Sequence, residues 1–472
     1  MQAYNSELPI LQQYATAAVI GLGATGYSVV RYLHAKGFQL KVLDSREQPA
    51  FANELRETYP DVELFVGAFD SANLKGVGLI VASPGVALSE PVLRSAKQAG
   101  AHIVGDVELF FQENSQKVIA ITGSNGKSTV TTLVGEMCKA GGLETLVAGN
   151  IGLPVLDALT DKRHYQVAVL ELSSFQLETI NQVPAETAAI LNISADHLDR
   201  YKSMGDYVLS KARIFRGAKR AVLPKHDEQL QQITNTATKL LFTLDEPAND
   251  SEFGVRKTSG VRYLYKGQQR LMPLRDVPLV GLHNIKNVLA AFALVDFLGL
   301  PNECLLKAVR NFHGLAHRMQ TIGLDCFGLD AINAKQDVTW INDSKATNIG
   351  ATSTALLNIE ADVIWIAGGQ AKGADFTELQ AAVKPNIKQL ILLGEDANKL
   401  AGALDGMLPI KHVRNMQQAV AEAASFASSM TSKDIVVLLS PACASFDMYA
   451  NYEERGEDFV KHVHAWQNRG AA

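Results

Sequence analysis

The sequence predicts an α/β protein in three domains: an N-terminal Rossmann-like doubly wound sheet over residues 1–105, a central P-loop ATPase-type α/β domain over 106–312, and a C-terminal Rossmann-like α/β domain over 313–472. Three observations carry this. Short apolar, β-branched runs alternate with helical stretches from end to end, as parallel sheets with crossover helices require. Two glycine turns, GLGATG near the N-terminus and ITGSNGKSTV at Ile121 to Val130, each stand between a strand-like run and a helix-like one. The length of 472 residues, at 47% hydrophobic content, suffices for about three separate cores.

In the first domain, Ala17 to Ile20, Leu40 to Leu43, Leu79 to Ala82 and the weaker Ala101 to Val104 read as parallel strands. Gly21, Gly23 and Gly26 have the G-x-G-x-x-G spacing, and Asp44 closes the second strand near the distance at which an acidic residue meets a ribose. That geometry suits NAD. It also suits any pyrophosphate presented to a helix N-terminus, such as that of a UDP compound, and both readings stay open here.

The central domain carries the phosphate loop between a strand at Val118 to Ile121 and a helix at Thr129 to Ala140. Gly123 and Gly126 let the backbone N–H groups around Ser124 and Asn125 converge on one anion, and the helix N-terminus adds partial positive charge. Lys127 would reach the outer phosphates of a nucleoside triphosphate, and the hydroxyl of Ser128 or Thr129 would ligate magnesium. The strict pattern has glycine where this chain has Ile121. The run Val167 to Leu170 ends at Glu171, an acidic residue at the sheet edge where α/β ligands sit, so Glu171 can hold magnesium or be a plain surface carboxylate. Beyond the strand at Ala188 to Leu191, NISADHLDRY gathers His197, Asp199 and Arg200; taken alone, His197 suits a structural hydrogen bond better than a ligand role. Lys211, in YVLSKARIF, reads by spacing alone as an ordinary exposed helical lysine. Lys225 to Arg275 is a polar, β-rich excursion without legible chemistry. GLHNIKN precedes an apolar helix at Val288 to Leu298, and Asn284 and Asn287, three apart, share a face where amides could address a base. Asn284 suits a helix cap equally.

In the third domain, strands are expected at Val338 to Ile341, Val363 to Ala367, Leu390 to Leu393 and Ile435 to Leu439. Polar residues bunch where they end. NDSKATN puts Asp343, Lys345, Thr347 and Asn348 after the first, GGQAKGADF puts Lys372 after the second, and SPACASFDMY puts Ser440 and Ser445 after the last. Hydroxyls and lysines at three strand ends imply a pocket for an anionic small molecule.

A net charge of −5 with both signs interspersed and no basic run argues against nucleic acid or an anionic membrane as main partner. The N-terminus MQAYNSELPI lacks a basic segment followed by an apolar core, and no stretch approaches the roughly 18 apolar residues that span a bilayer. A cytoplasmic monomer acting on small molecules is expected. Cys138, Cys304, Cys326 and Cys443 lack metal-ligand spacing and suggest neither a disulfide framework nor a zinc site.

Together these motifs resemble the Mur ligases of peptidoglycan assembly, most closely the members that add D-glutamate. The resemblance covers essentially the whole chain, through GLGATG, ASPGV, TGSNGKST, Gly149 and Asn150, LELSSFQLE, NISADHLDRY, SKARIF, GLHNIKN, AHR, NDSKATN, GGQAKGADF and SPACASFDMYANYEERG. The last three discriminate best. The resemblance implies an ATP-dependent amide ligase that joins D-glutamate to UDP-N-acetylmuramoyl-L-alanine through an acyl phosphate, with domain closure before the chemistry. It resolves the first glycine turn in favour of a uridine nucleotide, with Ala24, Thr25, Ser45, Arg46, Ser83 and Asn150 as its binding residues. It assigns Lys127, Ser128, Thr129, Asn284 and Asn287, with Arg318, Asp343 and Lys345, to ATP. It makes Ser128, Glu171, His197 and a carbamylated Lys211 the ligands of two magnesium ions. Thr347, Lys372, Ser445 and Phe446 receive D-glutamate, and Tyr452 stands where the family pattern often has Phe. Another Mur-type ligase or a folylpolyglutamate synthase-like ligase is the nearest alternative. An NAD-dependent oxidoreductase leaves Lys127, Glu171 and the third domain unexplained, and a P-loop switch protein would turn ATP over without any amino acid.

Overall fold

A computed structural model describes residues 10–194, 200–201, 203–234, 238–279, 281–322, 337–371, 374–432 and 434–469. The first sheet contains β1 (Thr16–Ile20), β2 (Gln39–Asp44), β3 (Glu63–Val66), β4 (Leu79–Ala82) and β5 (His102–Val104). Its order β3-β2-β1-β4-β5 is parallel throughout, and the first strand lies at its centre, as in doubly wound folds. The four expected strands are present. β3 was not expected, because ELFV is half solvent-facing and too short to show a period.

The second sheet contains β6 (Lys117–Thr122), β7 (Thr145–Gly149), β8 (Val167–Glu171), β9 (Thr187–Ile190), β10 (Arg220–Pro224), β11 (Thr238–Phe242), β12 (Glu252–Thr258), β13 (Val261–Lys266) and β14 (Gln269–Pro273). In the order β14-β13-β12-β11-β10-β9-β6-β8-β7, the strand that feeds the phosphate loop is flanked by β8 and β9, and these three strands are buried except for Lys117 at the entry of β6. Continuous apolar runs such as VIAI and VAVL suit this position, since both faces of a parallel sheet are covered. The polar stretch after Lys225 extends the same sheet, ending in antiparallel hairpin pairings of β12 with β13 and β13 with β14.

The chain divides into two compact units, Met1–Val277 with His283–Asn311, and Pro278–Leu282 with Phe312–Ala472. The first two sheets therefore belong to one body. One apolar cluster explains it, running from Val29, Tyr32 and Leu33 through Val107 and Phe110 to Val155, Leu156 and Leu177. Arg31 also donates to Asp157 at 2.7 Å and to Asp161 at 2.9 Å.

The second body holds β15 (Gln320–Ile322), β16 (Asp337–Asn342), β17 (Asp362–Ala367), β18 (Ile387–Leu392), β19 (Ile410–His412) and β20 (Asp434–Leu439), ordered β15-β16-β20-β17-β18-β19. All neighbours are parallel except β15 against β16. The last strand inserts between β16 and β17, so Asn342 is level with Leu439 and Leu439 with Ile366. Three strand ends distant in sequence thus share one edge.

Candidate active site

The phosphate loop is built as the glycine spacing demands. Gly126 caps the helix Lys127–Ala140 in the left-handed region, with φ of 80°, and a methyl there would stand 2.6 Å from Asn287 Oδ1. Only glycine allows both the turn and that approach. The helix begins two residues before the expected Thr129. Asn125 N–H donates to Asn192 Oδ1 at 2.8 Å, Asn192 Nδ2 donates back to Asn125 O at 2.9 Å, and Ser124 Oγ lies 3.1 Å from Tyr207 OH. The segment after β9 therefore fixes the backbone of the loop. Lys127 Nζ donates to Gly123 O at 2.9 Å and to Ser124 O at 2.8 Å, which keeps its ammonium over the loop. Ser128 is buried in the first helical turn.

Glu171 ends β8 directly beside Ile121 of β6. It is 1% exposed; Oε1 accepts from Asn150 Nδ2 at 2.8 Å, while Oε2 is buried without a hydrogen-bond partner among the described residues. An unpartnered carboxylate oxygen next to a phosphate loop fits a cation ligand, since burying it unsatisfied costs about 1–3 kcal/mol or more. Asn150, expected at the sugar nucleotide, orients this carboxylate. Among the described residues no group of three His, Cys, Asp or Glu could hold a metal; the oxygens of Glu171 and Ser128 are hard donors of the type magnesium takes.

Lys211 corrects the reading from spacing. It is 2% exposed, donates to Gly123 O at 3.0 Å, and its Nζ lies 4.7 Å from the Tyr207 ring centroid. The cause is the helix Met204–Ala212, which turns Tyr207 and Lys211, four apart, onto its inner face. Asn284 is likewise not a cap: the helix Leu282–Val295 starts two residues earlier, and Asn284 Oδ1 accepts from Asn287 Nδ2 at 3.1 Å within it. Both amides are buried, and that of Asn287 stands against Gly126 of the loop.

In the N-terminal turn a methyl on Gly26 would stand 1.8 Å from Gly21 O, so glycine lets the helix Ala24–Ala35 close on β1. Ala24 and Thr25 open that helix, and Ser83 Oγ donates to Gly21 O at 2.8 Å. Asp44 is engaged: Leu22 N–H donates to Oδ2 at 2.6 Å, and Arg46 grips both oxygens at 2.8 and 2.6 Å. Burial would raise its pKa, but the Arg46 fork and the two backbone N–H groups hold it below the usual carboxylate range. A carboxylate so occupied is a poor ribose acceptor, which weighs against NAD. Ser45 and Arg46 are exposed beside it.

In the second body Asp343 follows β16. Its Oδ2 accepts from Ser440 Oγ at 3.0 Å and its Oδ1 from Met319 N–H at 3.2 Å. Burial pushes its pKa up to about 7, against the lowering effects of Ser440, the Met319 N–H and the Arg318 charge. Arg318 stands between His317 and Met319, both at positive φ, 61° and 45°. Strain of this kind persists only where its surroundings impose it. Here Met319 is tied to Asp343, and His317 is buried beside Asn342 and Gly456. Lys345 N–H donates to His317 O at 3.0 Å, its Nζ lies 5.2 Å from the Tyr452 ring centroid, and Thr347 follows at the same edge. Gln370 and Ala444 exchange backbone hydrogen bonds, bringing the GGQ turn to Ser445, which is buried, and Phe446, which is 60% exposed. The expected residues His197 and Lys372 lie outside the described residues. Sequence reasoning passed over Tyr207, Asn192, His317 and the buried Arg455, which donates to Ser344 and to Cys443 O. All four act through partners far away in sequence.

Comparison with known proteins agrees across the chain. Residues 15–105 match the family described as Mur ligase MurD-like, N-terminal domain; residues 121–295 match the Mur ligase middle domain; and residues 317–443 match the Mur ligase, glutamate ligase domain. The UDP-N-acetylmuramoylalanine–D-glutamate ligase of Methylobacillus flagellatus is 46% identical, over 94% of this chain and 96% of that protein. The protein of the same name from Pseudomonas putida is 43% identical, over 94% and 96%. Among solved structures, UDP-N-acetylmuramate-alanine ligase from Thermotoga maritima shares the fold at a TM-score of 0.54 and 16% identity, covering 96% of this chain and 100% of that one. No helix among the described residues is long and apolar enough to cross a membrane. With Mur ligase domain models matched at residues 15–105, 121–295 and 317–443 and relatives 43–46% identical over 94% of its length, the chain belongs to the Mur ligase family.

Proposed function

We propose that the chain is an ATP-dependent ligase that joins D-glutamate to UDP-N-acetylmuramoyl-L-alanine in peptidoglycan precursor synthesis, working in the cytoplasm as a monomer divided at 105/106 and 312/313. The observation that carries this is the phosphate loop with a buried, unpartnered Glu171 oxygen beside it, in a chain 46% identical to a ligase of that name. ATP supplies the phosphoryl group; Ser128 and Glu171 would hold magnesium, which would neutralise phosphate charge. The substrate's terminal carboxylate oxygen attacks the γ-phosphorus and ADP leaves, giving an acyl phosphate. The amine nitrogen of D-glutamate attacks the acyl carbon, loses a proton, and the tetrahedral adduct expels phosphate. Lys127 stabilises charge on the transferring group, and the loop N–H groups of residues 123–129 orient it. Asn284 and Asn287 address ATP, a role also assigned to Arg318, Asp343 and Lys345. Ala24, Thr25, Ser45, Arg46, Ser83 and Asn150 hold the uridine nucleotide, and Thr347, Lys372, Ser445 and Phe446 hold D-glutamate. A second ion would take His197 and Lys211, the latter as a carbamate; its burial beside Gly123 O supports a specialised role over that of a surface lysine. Phosphate release from ATP with UDP-N-acetylmuramoyl-L-alanine and a panel of amino acids tests the reading. Release should require the nucleotide and be strongest with D-glutamate; release indifferent to either would overturn it.

A further inference from the structure

Arg200 makes a set of contacts that the reaction above leaves unused. Its Nη1 donates to Pro84 O at 2.9 Å, and its Nη2 reaches Val86 O and Glu178 Oε2, both at 3.3 Å. Its guanidinium lies 3.9 Å from the centroid of the Phe175 ring. The side chains of Arg200 and Glu178 are 16% and 19% exposed. One planar fork thus joins two carbonyls of a turn in the N-terminal domain to a carboxylate and an aromatic face in the central domain. A lysine ammonium has no such fork.

The two ends of this strap border the two nucleotide sites. On one side the turn follows Ser83, whose hydroxyl donates to Gly21 O, and Val86 N–H donates to Ser83 O at 2.9 Å. Movement at Pro84 and Val86 therefore moves Ser83 and the first glycine turn. On the other side Glu178 closes the short helix Ser174–Glu178, which is fixed by a capping box at Ser173 and Gln176 and begins three residues after Glu171. Turn carbonyls at a surface could be satisfied by water, so a charged, largely buried fork spent on them fixes a position.

We propose that Arg200 is a positioning residue: it holds the Ser83–Val86 turn, and with it the bound uridine sugar nucleotide, at a set distance from the Glu171 side of the phosphate-loop site. The inference rests on the ligase reading for the identity of the nucleotide. A misplacement of about 1 Å can cost on the order of 100-fold in rate, so the effect should fall on one substrate and on turnover.

Arg200→Ala and Arg200→Lys are compared with wild type in the phosphate-release assay, by calorimetric titration with UDP, and by thermal melting. Both variants should raise KM for the sugar nucleotide and weaken UDP binding by about tenfold, keep KM for ATP and D-glutamate within about twofold, and melt within a few degrees of wild type. Added guanidinium ion should partly restore the alanine variant and leave wild type unchanged. If Arg200→Ala does not fold, Arg200→Lys carries the test, because it retains the charge and the ring contact and loses the fork. An unchanged KM and UDP affinity in the lysine variant, or all three KM values rising together with a collapsed melting temperature, overturns the proposal. Wild type that releases no phosphate would instead overturn the ligase reading, while the UDP titration still judges the strap.

Discussion

Asp343→Asn should flatten the pH dependence of stability in the second body. Asp343 is 7% exposed, and burial lifts its pKa from the 3.8 of a free side chain to about 7. Below pH 3.8 the carboxyl is protonated in both folded and unfolded chains and costs nothing. Between there and about 7 the folded state holds a proton that the unfolded state has released, so stability falls as pH rises; above about 7 the loss is complete. At roughly 1.4 kcal/mol per tenfold change in proton affinity, the span from 3.8 to about 7 corresponds to about 4 kcal/mol as an upper figure. For a body of this size that is a melting shift of roughly 10 °C. The asparagine keeps an acceptor for Ser440 and loses the hydrogen bond from Met319, a constant offset of about 1 kcal/mol that does not vary with pH. The chain's three tryptophans, Trp340, Trp365 and Trp466, all lie in this body, so their fluorescence reports its melting. Wild type should lose stability relative to Asp343→Asn between pH 4.5 and 8. Parallel curves over that range would refute the reasoning.

Lys127→Ala should lower turnover by about 100-fold or more, as loss of one preorganised charge stabiliser does, with the melting curve little changed; near-normal turnover would remove the loop from the mechanism. Gly126→Ala, forced to a φ of 80° and against Asn287, should cost about 1–2 kcal/mol or more and raise KM for ATP, and an unaltered KM would contradict the tight approach of that amide. Lys211→Ala should be nearly inactive and partly rescued by short-chain carboxylates filling the vacated space, whereas full activity without rescue would sink the metal-ligand role.

What the sequence determined by itself was local. A glycine at positive φ, a lysine at a helix start and a carboxylate closing an apolar strand each depend on a few adjacent residues, so the phosphate loop, Glu171 and the N-terminal turn were legible from spacing. Three-residue strands such as β15 and β19 carry no period and were missed. The sheet order was beyond spacing too: that β20 enters between β16 and β17 follows from which apolar faces can be covered together, and it alone brings Ser440 to Asp343 across 97 positions. Burial was decided at the same level. By spacing alone Lys211 read as a surface lysine, and Asn284 suited a cap as well as a base contact, until the helices that carry them packed inward, because a side chain's solvent exposure is a property of the neighbours that the fold delivers.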